Sequence, residues 1–461
     1  MRGRRSWWAP FAAGLAAGGG ALAVAQALAS SRRRSIDPLL VKGRLQHAEH
    51  PTAVIVPGIL GSGLFRENGT PVWLNVRNAV GYYNLSLPFT VPFSESRDDL
   101  VPKGLLGAQT RVPRLFGFTE YYDLLELLTA AGFEDATAAP DDAALRFHVF
   151  SYDWRRDLVE SARRLHETLE ELAAREGNPE ARFDLVGHSM GGLVARYYLR
   201  YGGAEPGGPV TWAGARRIRQ LALVAVPSGG GIHALDVLLN GARLGFSYTT
   251  LAAMVVARMP SVYQLLPPRE VPSLVDAAGE DVPADLHDPA TWERFGWGPY
   301  AANGARRAYA SEAEREAHRV FLAAALARAR ALHEALGRPP EERCPVRVAV
   351  MGGDTLPTLA RAVVSDRPGT SPRFETVNRT DAQSMFEAGD GRVTRASLLA
   401  SHLPGADHDE HGCGLPEATH IFVGAADHHG IYSEHTFQSI LLRWLLKPHR
   451  TQGDPLERRR S

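Results

Sequence analysis

The chain has 461 residues, 44% of them hydrophobic, and its 51 Lys and Arg side chains balance 51 Asp and Glu to a formal charge of zero. That length and composition can bury one large core. The neutral balance, with no basic stripe interleaved with aromatics, argues against a nucleic-acid partner.

Residues 1–34 read as an export signal or membrane anchor and stand outside the fold. Arg2, Arg4 and Arg5 precede an uncharged run rich in Ala and Gly that ends at Arg32, Arg33 and Arg34. The run exceeds the roughly 20 residues that cross a bilayer. Arg4 and Arg5 before Ser6 and Trp7 resemble a twin-arginine signal, and Ala27, Leu28 and Ala29 offer a small-residue cleavage site. The arginine triplet beyond it favours an uncleaved anchor. Residues 35–461 read as one α/β domain with an aromatic-rich insertion at 66–118 and a cap insertion at 232–343.

In chain order, residues 53–56 form a buried strand that stops at Pro57 and Gly58, with small residues at Gly61, Ser62 and Gly63. A Gly-rich loop after an early strand is either a plain tight turn or, ahead of a nucleophile later in the chain, the place of an oxyanion donor, here the amide of Ile59. The 66–118 stretch is irregular, and its Trp73, Tyr82, Tyr83, Leu85, Leu87, Phe89 and Phe93 have two fates, packing on the core or contacting lipid at a pocket mouth. A helix over 121–131 and a strand over 145–152 follow. The next helix, 157–176, sets Leu158, Ala162, Leu165, Leu169 and Leu172 on one face.

Residues 183–199, FDLVGHSMGGLVARYYL, read as strand, sharp turn and helix. In such a GxSxG turn the serine holds a strained backbone, and glycines flank it because side chains there would strike the neighbouring elements. Ser189 is the predicted nucleophile, and the amide of Met190 a second oxyanion donor. Beyond it lie a strand at 220–226 ending in PSGGG, the long 232–343 segment with a helix over 314–336, and further strands at 346–351 and 420–424. An insertion at that place is the usual site of a cap over a pocket.

A serine hydroxyl barely ionises near neutrality and needs a base that an acid orients. On α/β-hydrolase sheets the chain order is nucleophile, acid, histidine. The loop after the final strand contains His428 and His429; spacing to Gly430 and Ile431 favours His428, and His435 falls too far into the next helix. Position after the strand at 346–351 favours Asp354 as the acid, with Asp390 in GDGRVTRAS as the other candidate. His402, His408, His411, Cys413 and His420 fit no standard metal template, and no nucleotide or flavin motif is present, so no cofactor is expected. Cys344 and Cys413 form either one disulfide or two thiols.

Taken together, VPGILGS (56–62), YDWR (152–155), GHSMGG (187–192), VPSGG (226–230), GDGRV (389–393) and HHGI (428–431) resemble the lecithin:cholesterol acyltransferase family, which includes lysosomal phospholipase A2 and the phospholipid:diacylglycerol acyltransferases. The resemblance implies an α/β-hydrolase fold and a lipid acyl-ester hydrolase or O-acyltransferase that works through an acyl-serine. It assigns Ser189 as nucleophile, Asp390 as acid, His428 as base, and Ile59 and Met190 as oxyanion amides. It also implies a lipid or ester substrate met at a membrane or lipoprotein-like surface. Arg392 stands where the family has Thr, and the N-terminal half lacks the cysteine pair that ties a membrane-contacting loop in animal members. A carboxylesterase or lipase for smaller or neutral esters, and a non-catalytic lipid-binding relative, are the competing readings.

Overall fold

Strands that are apolar on both faces, such as AVIV and the FDLVGH run, have to be covered from both sides, and a parallel sheet between layers of helices is the arrangement that covers them. The computed structural model describes residues 50–73, 85–106, 120–137, 145–243, 250–301, 309–378, 383–406 and 411–446. The N-terminal signal or anchor expected from the sequence, Tyr82, Tyr83 and His408 lie outside the described residues.

Seven strands make the main sheet: β1 (Ala53–Val56), β2 (Glu134–Asp135), β3 (Arg146–Val149), β4 (Phe183–His188), β5 (Ile218–Val224), β6 (Arg347–Gly353) and β7 (His420–Gly424). Their spatial order is β7-β6-β5-β4-β1-β3-β2, and every neighbouring pair is parallel. This is the parallel central sheet of an α/β fold, as the sequence leads one to expect. The chain leaves β1 toward one edge and returns to β4 on its other side before moving outward to β7. The β1–β4 boundary is therefore the point where successive loops diverge, the usual place for a crevice in an open α/β sheet.

The main helices are α1 (Glu120–Ala130), α2 (Leu158–Arg175), α3 (Met190–Tyr201), α4 (His233–Asn240), α5 (Glu312–Gly337) and α6 (His435–Leu446). On α2 the predicted stripe of Leu158, Ala162, Leu165, Leu169 and Leu172 is buried. Asp157, the residue ahead of it, does not cap its own helix. Its carboxylate accepts from Gln264 Nε2 (2.6 Å) and Arg328 Nη2 (2.7 Å), and Gln264 Oε1 in turn accepts from the Leu158 amide (2.9 Å). The 232–343 segment is thus pinned to the start of α2 by groups that also satisfy that helix end.

Within 66–118, expected to be irregular, Pro71–Trp73 and Leu100–Leu105 flank Ser62–Arg66 in a three-stranded antiparallel sheet. Trp73, Leu85 and Leu87 are buried, and Phe89 and Phe93 pack against the core. Of the two fates open to these side chains, the described ones take the core. Cys344 and Cys413 are not joined in a disulfide.

Helix α3 is buried on every side, including the charged residues Arg196 and Arg200. Both guanidiniums meet Glu417, Arg196 in a very close ion pair and Arg200 at 2.9 Å, and all three side chains are fully buried. Arg196 Nη2 also donates to Leu336 O (2.7 Å), and Arg200 Nη2 donates to Arg338 O. The cluster ties α3 to the end of α5 and to the loop before β7. Burial would raise the Glu417 carboxyl; the two guanidiniums more than offset it and hold its pKa below the ordinary range. Removing one partner of such a cluster leaves buried charge uncompensated, so Glu417→Gln is expected to lower unfolding free energy by about 3–5 kcal/mol, read from urea melts at neutral pH.

Candidate active site

Strand β4 ends at His188 and α3 begins at Met190, so one residue makes the whole turn. Ser189 does so at φ 51° and ψ −128°, a conformation that L-residues rarely hold. Its amide donates to Val224 O (2.9 Å) and its carbonyl accepts from the Gly192 amide (2.9 Å), which fixes the turn from both ends. Glycine at 58 answers a close approach: a Cβ there would lie 2.9 Å from the Ser189 Cβ. A side chain on Gly191 would strike the carbonyls of Val56 and Pro57.

The half-buried Ser189 presents its Oγ 3.1 Å from His428 Nε2, and His428 Nδ1 lies 2.9 Å from Asp390 Oδ2. Asp390 and His428 are both buried. The other carboxylate oxygen of Asp390 accepts from the amides of Arg392 (2.9 Å) and Val393 (2.7 Å), and the Asp390 carbonyl accepts from the His428 amide (2.9 Å). Burial pushes the Asp390 carboxyl up, but the adjoining imidazole and the two amides outweigh it and leave the pKa below the usual aspartate value. A hydroxyl, an imidazole and a carboxylate at these separations allow the imidazole to take the hydroxyl proton while the carboxylate fixes its tautomer.

The acid that reaches the imidazole is Asp390, not Asp354. Asp354 directly follows β6, its amide donates to Gly424 O (3.2 Å), and its side chain faces Arg395 at 3.9 Å. Between it and Asp390 the chain runs out and back through the antiparallel pair Leu356–Leu359 and Phe386–Gly389. His429 donates its amide to Asp427 (3.1 Å) and is half-buried, and its ring lies 5.3 Å from that of His428. His435 is the first residue of α6.

Met190 opens α3, where an amide has no acceptor within the helix. The Ile59 amide belongs to a turn closed by the Gly61 amide donating to Gly58 O (3.1 Å), with Leu60 at φ 66°. That turn is clamped by residues that sequence reasoning missed. Tyr152 donates its hydroxyl to Pro57 O (2.7 Å), Trp73 Nε1 donates to Leu60 O (2.9 Å), and Trp154 Nε1 donates to Ser62 O (3.1 Å). Arg155 holds Asp98 through both its Nη atoms (2.7 and 2.9 Å) and Asp153 through Nη2 (2.7 Å). The YDWR motif is therefore a brace between the β1 loop and the 66–118 segment. A cavity of about 230 Å³ adjoins the acid loop, lined by Gly230, Ile232, Arg361, Arg392 and Thr394 among others. Among the described residues no group of three His, Cys, Asp or Glu side chains comes together as a metal site, and no helix is long and apolar enough to cross a membrane.

Because the folded pKa of Asp390 is depressed, its ionisation stabilises the fold above the unfolded-state value of about 4 and that contribution disappears as pH falls through the folded value. The stability gap between the parent and Asp390→Asn, measured by denaturant melts, should be constant near neutrality and shrink below pH of about 4.

Residues 118–306 match the family model described as lecithin:cholesterol acyltransferase. No curated protein matches the sequence significantly. Solved structures with a similar chain path include that of the Tle4–Tli4 complex, at 16% identity and TM-score 0.48 over 86% of this chain and 98% of the other. The mature lipase BlEst2 of Bacillus licheniformis is similar at 11% identity and TM-score 0.35 over 87% of this chain and 93% of the other. EstA from Clostridium botulinum is similar at 12% identity and TM-score 0.33, covering 87% and 88%. The matched stretch holds the Ser189 turn with the strand and helix around it, so the similarity to the lecithin:cholesterol acyltransferase family covers that part of the chain.

Proposed function

We propose that the protein cleaves lipid acyl esters through a covalent acyl-serine and passes the acyl group to water or to an alcohol. The observation that carries this reading is His428 bridging the Ser189 hydroxyl (3.1 Å) and the Asp390 carboxylate (2.9 Å). Ser189 Oγ attacks the ester carbonyl as its proton moves to His428 Nε2. The tetrahedral oxyanion accepts from the amides of Ile59 and Met190. Collapse breaks the ester C–O bond, and the departing alcohol takes the proton from His428. An incoming water or alcohol gives its proton to His428, attacks the acyl carbonyl, and releases Ser189 with its proton restored. Asp390 stays ionised throughout and stabilises the imidazolium.

The lipid part of the reading is supported by the family match and by the 232–343 segment, which enters the chain between β5 and β6 and begins beside the acid loop, as a cap over an ester pocket does. In the same reading residues 1–34 export the protein or anchor it, and bring the site to a membrane or lipoprotein-like surface.

Ser189→Ala is expected to cut turnover of short and long p-nitrophenyl esters by at least about 10⁴-fold while leaving the melting temperature close to that of the parent. Activity near the parent value would exclude Ser189 as nucleophile. Mass spectrometry of products from mixed phospholipid, glyceride and sterol substrates is expected to show an acyl chain leaving a lipid ester and arriving on water or an alcohol. A protein that cleaves only short soluble esters, with no response to vesicles, would instead be the smaller-ester carboxylesterase.

A further inference from the structure

One buried hydroxyl joins three parts of the site that the reaction scheme treats separately. Tyr121, on the first turn of α1, is 2% exposed, and its oxygen accepts from the Gly58 amide at 2.6 Å. The same oxygen lies 2.9 Å from His188 Nδ1. His188 is the last residue of β4 and the immediate neighbour of Ser189, and its ring centroid is 5.2 Å from that of His428. Gly58 in turn packs directly on Ser189. The phenol and the His188 ring thus share one hydrogen bond, with the imidazole in its neutral form. Burial, helped by the nearby His428 and His429, keeps His188 in that neutral form.

We infer that Tyr121 is a positioning residue for the oxyanion-binding turn, acting through the Gly58 amide and held in place by His188. The inference rests on the serine mechanism proposed above. The Ile59 amide can serve an oxyanion only if the peptide groups around it are fixed. Pro57 O is held by Tyr152 and Leu60 O by Trp73. The Gly58 amide is the remaining polar group on the approach to Ile59, and Tyr121 takes it. Removing the phenol oxygen leaves that buried amide without an acceptor and free to turn toward the site, so the loop no longer holds the Ile59 amide where charge develops. Preorganised donors act mainly on the transition state, so the effect falls on turnover more than on substrate binding.

The test uses the full chain. The parent is first labelled with a fluorophosphonate and the label mapped to Ser189. Then Tyr121→Phe is titrated for competent sites and assayed on a soluble p-nitrophenyl ester and against an alkylboronic acid, whose serine adduct is tetrahedral. The expected result is a fall in kcat of about 10- to 100-fold, KM within about twofold, and a boronate Ki that rises in step with the loss in kcat. A purely structural tyrosine would lower the melting temperature and leave kcat per titrated site and Ki unchanged, which overturns the inference. Should Tyr121→Phe fail to fold, the pair His188→Asn and His188→Leu carries the same test. His188→Asn keeps a hydrogen-bonding group near the Nδ1 position and should retain most of kcat, and His188→Leu should show the loss expected of Tyr121→Phe. Equal kcat in the two variants overturns the inference. A parent unlabelled at Ser189 defeats the mechanism and the inference together; a labelled parent with unaffected variants defeats the inference alone.

Discussion

Val56 stands opposite Gly187 in the parallel ladder between β1 and β4, and His188 stands opposite Val224 in the ladder between β4 and β5. That register decides where the chemistry sits. Two parallel strands in step release their chains at the same height, so Pro57 to Ile59 emerges beside His188 to Met190, and the Ser189 amide finds Val224 O directly across. On the far side, Gly353 opposite Gly424 brings the chain out of β6 and β7 together, and the acid loop and histidine loop then bond main chain to main chain through Asp390 O and the His428 amide. A slip of one residue in any of these ladders would turn every side chain to the other face of the sheet. Both faces are buried, which fixes the register firmly.

The strain at Ser189 depends on the same packing. A non-glycine residue at φ 51° is held in place only where its surroundings over-determine it. Here the hydrogen bonds to Val224 and Gly192, the absence of a side chain at Gly58 and Gly191, and the anchoring of α3 by Arg196, Arg200 and Glu417 all act on one turn. The cluster at Glu417 lies in α3 and the chain just before β7, so it steadies the elements that carry Ser189 and His428 without touching either.

Much of this was legible because it depends on local pattern. The AVIV strand, the leucine stripe of α2 and the strand-turn-helix around Ser189 each carry their signal within about twenty residues, and each lies within a residue or two of where periodicity puts it. The partners were not legible, since they are set by the third dimension. Nothing in YDWR says that its tyrosine and tryptophan grip carbonyls of a loop some 90 residues earlier, and nothing in the α1 stripe separates Tyr121 from the leucines it accompanies. Asp157 looked like an ordinary helix start and instead holds Gln264 and Arg328, more than a hundred positions away. The pull of Asp354 as acid has a physical counterpart too. Its amide extends the β6–β7 ladder by bonding Gly424 O, which leaves it at the rim of the sheet, and the chain needs the Leu356–Leu359 and Phe386–Gly389 excursion to come back over His428.

The loop that follows the excursion holds the Asp390 carboxylate without using the side chain of Arg392. Both hydrogen bonds that the loop supplies to Asp390 Oδ1 come from main-chain amides, those of residues 392 and 393, and neither depends on what side chain residue 392 carries. Val393, the neighbour, is buried, whereas Arg392 is exposed and lines the cavity, and its charge helps to lower the pKa of His233 at the start of α4. The two amides thus fix the direction of the Asp390 carboxylate and, with the His428 imidazole, lower its pKa, while neither amide bond involves the side chain at 392.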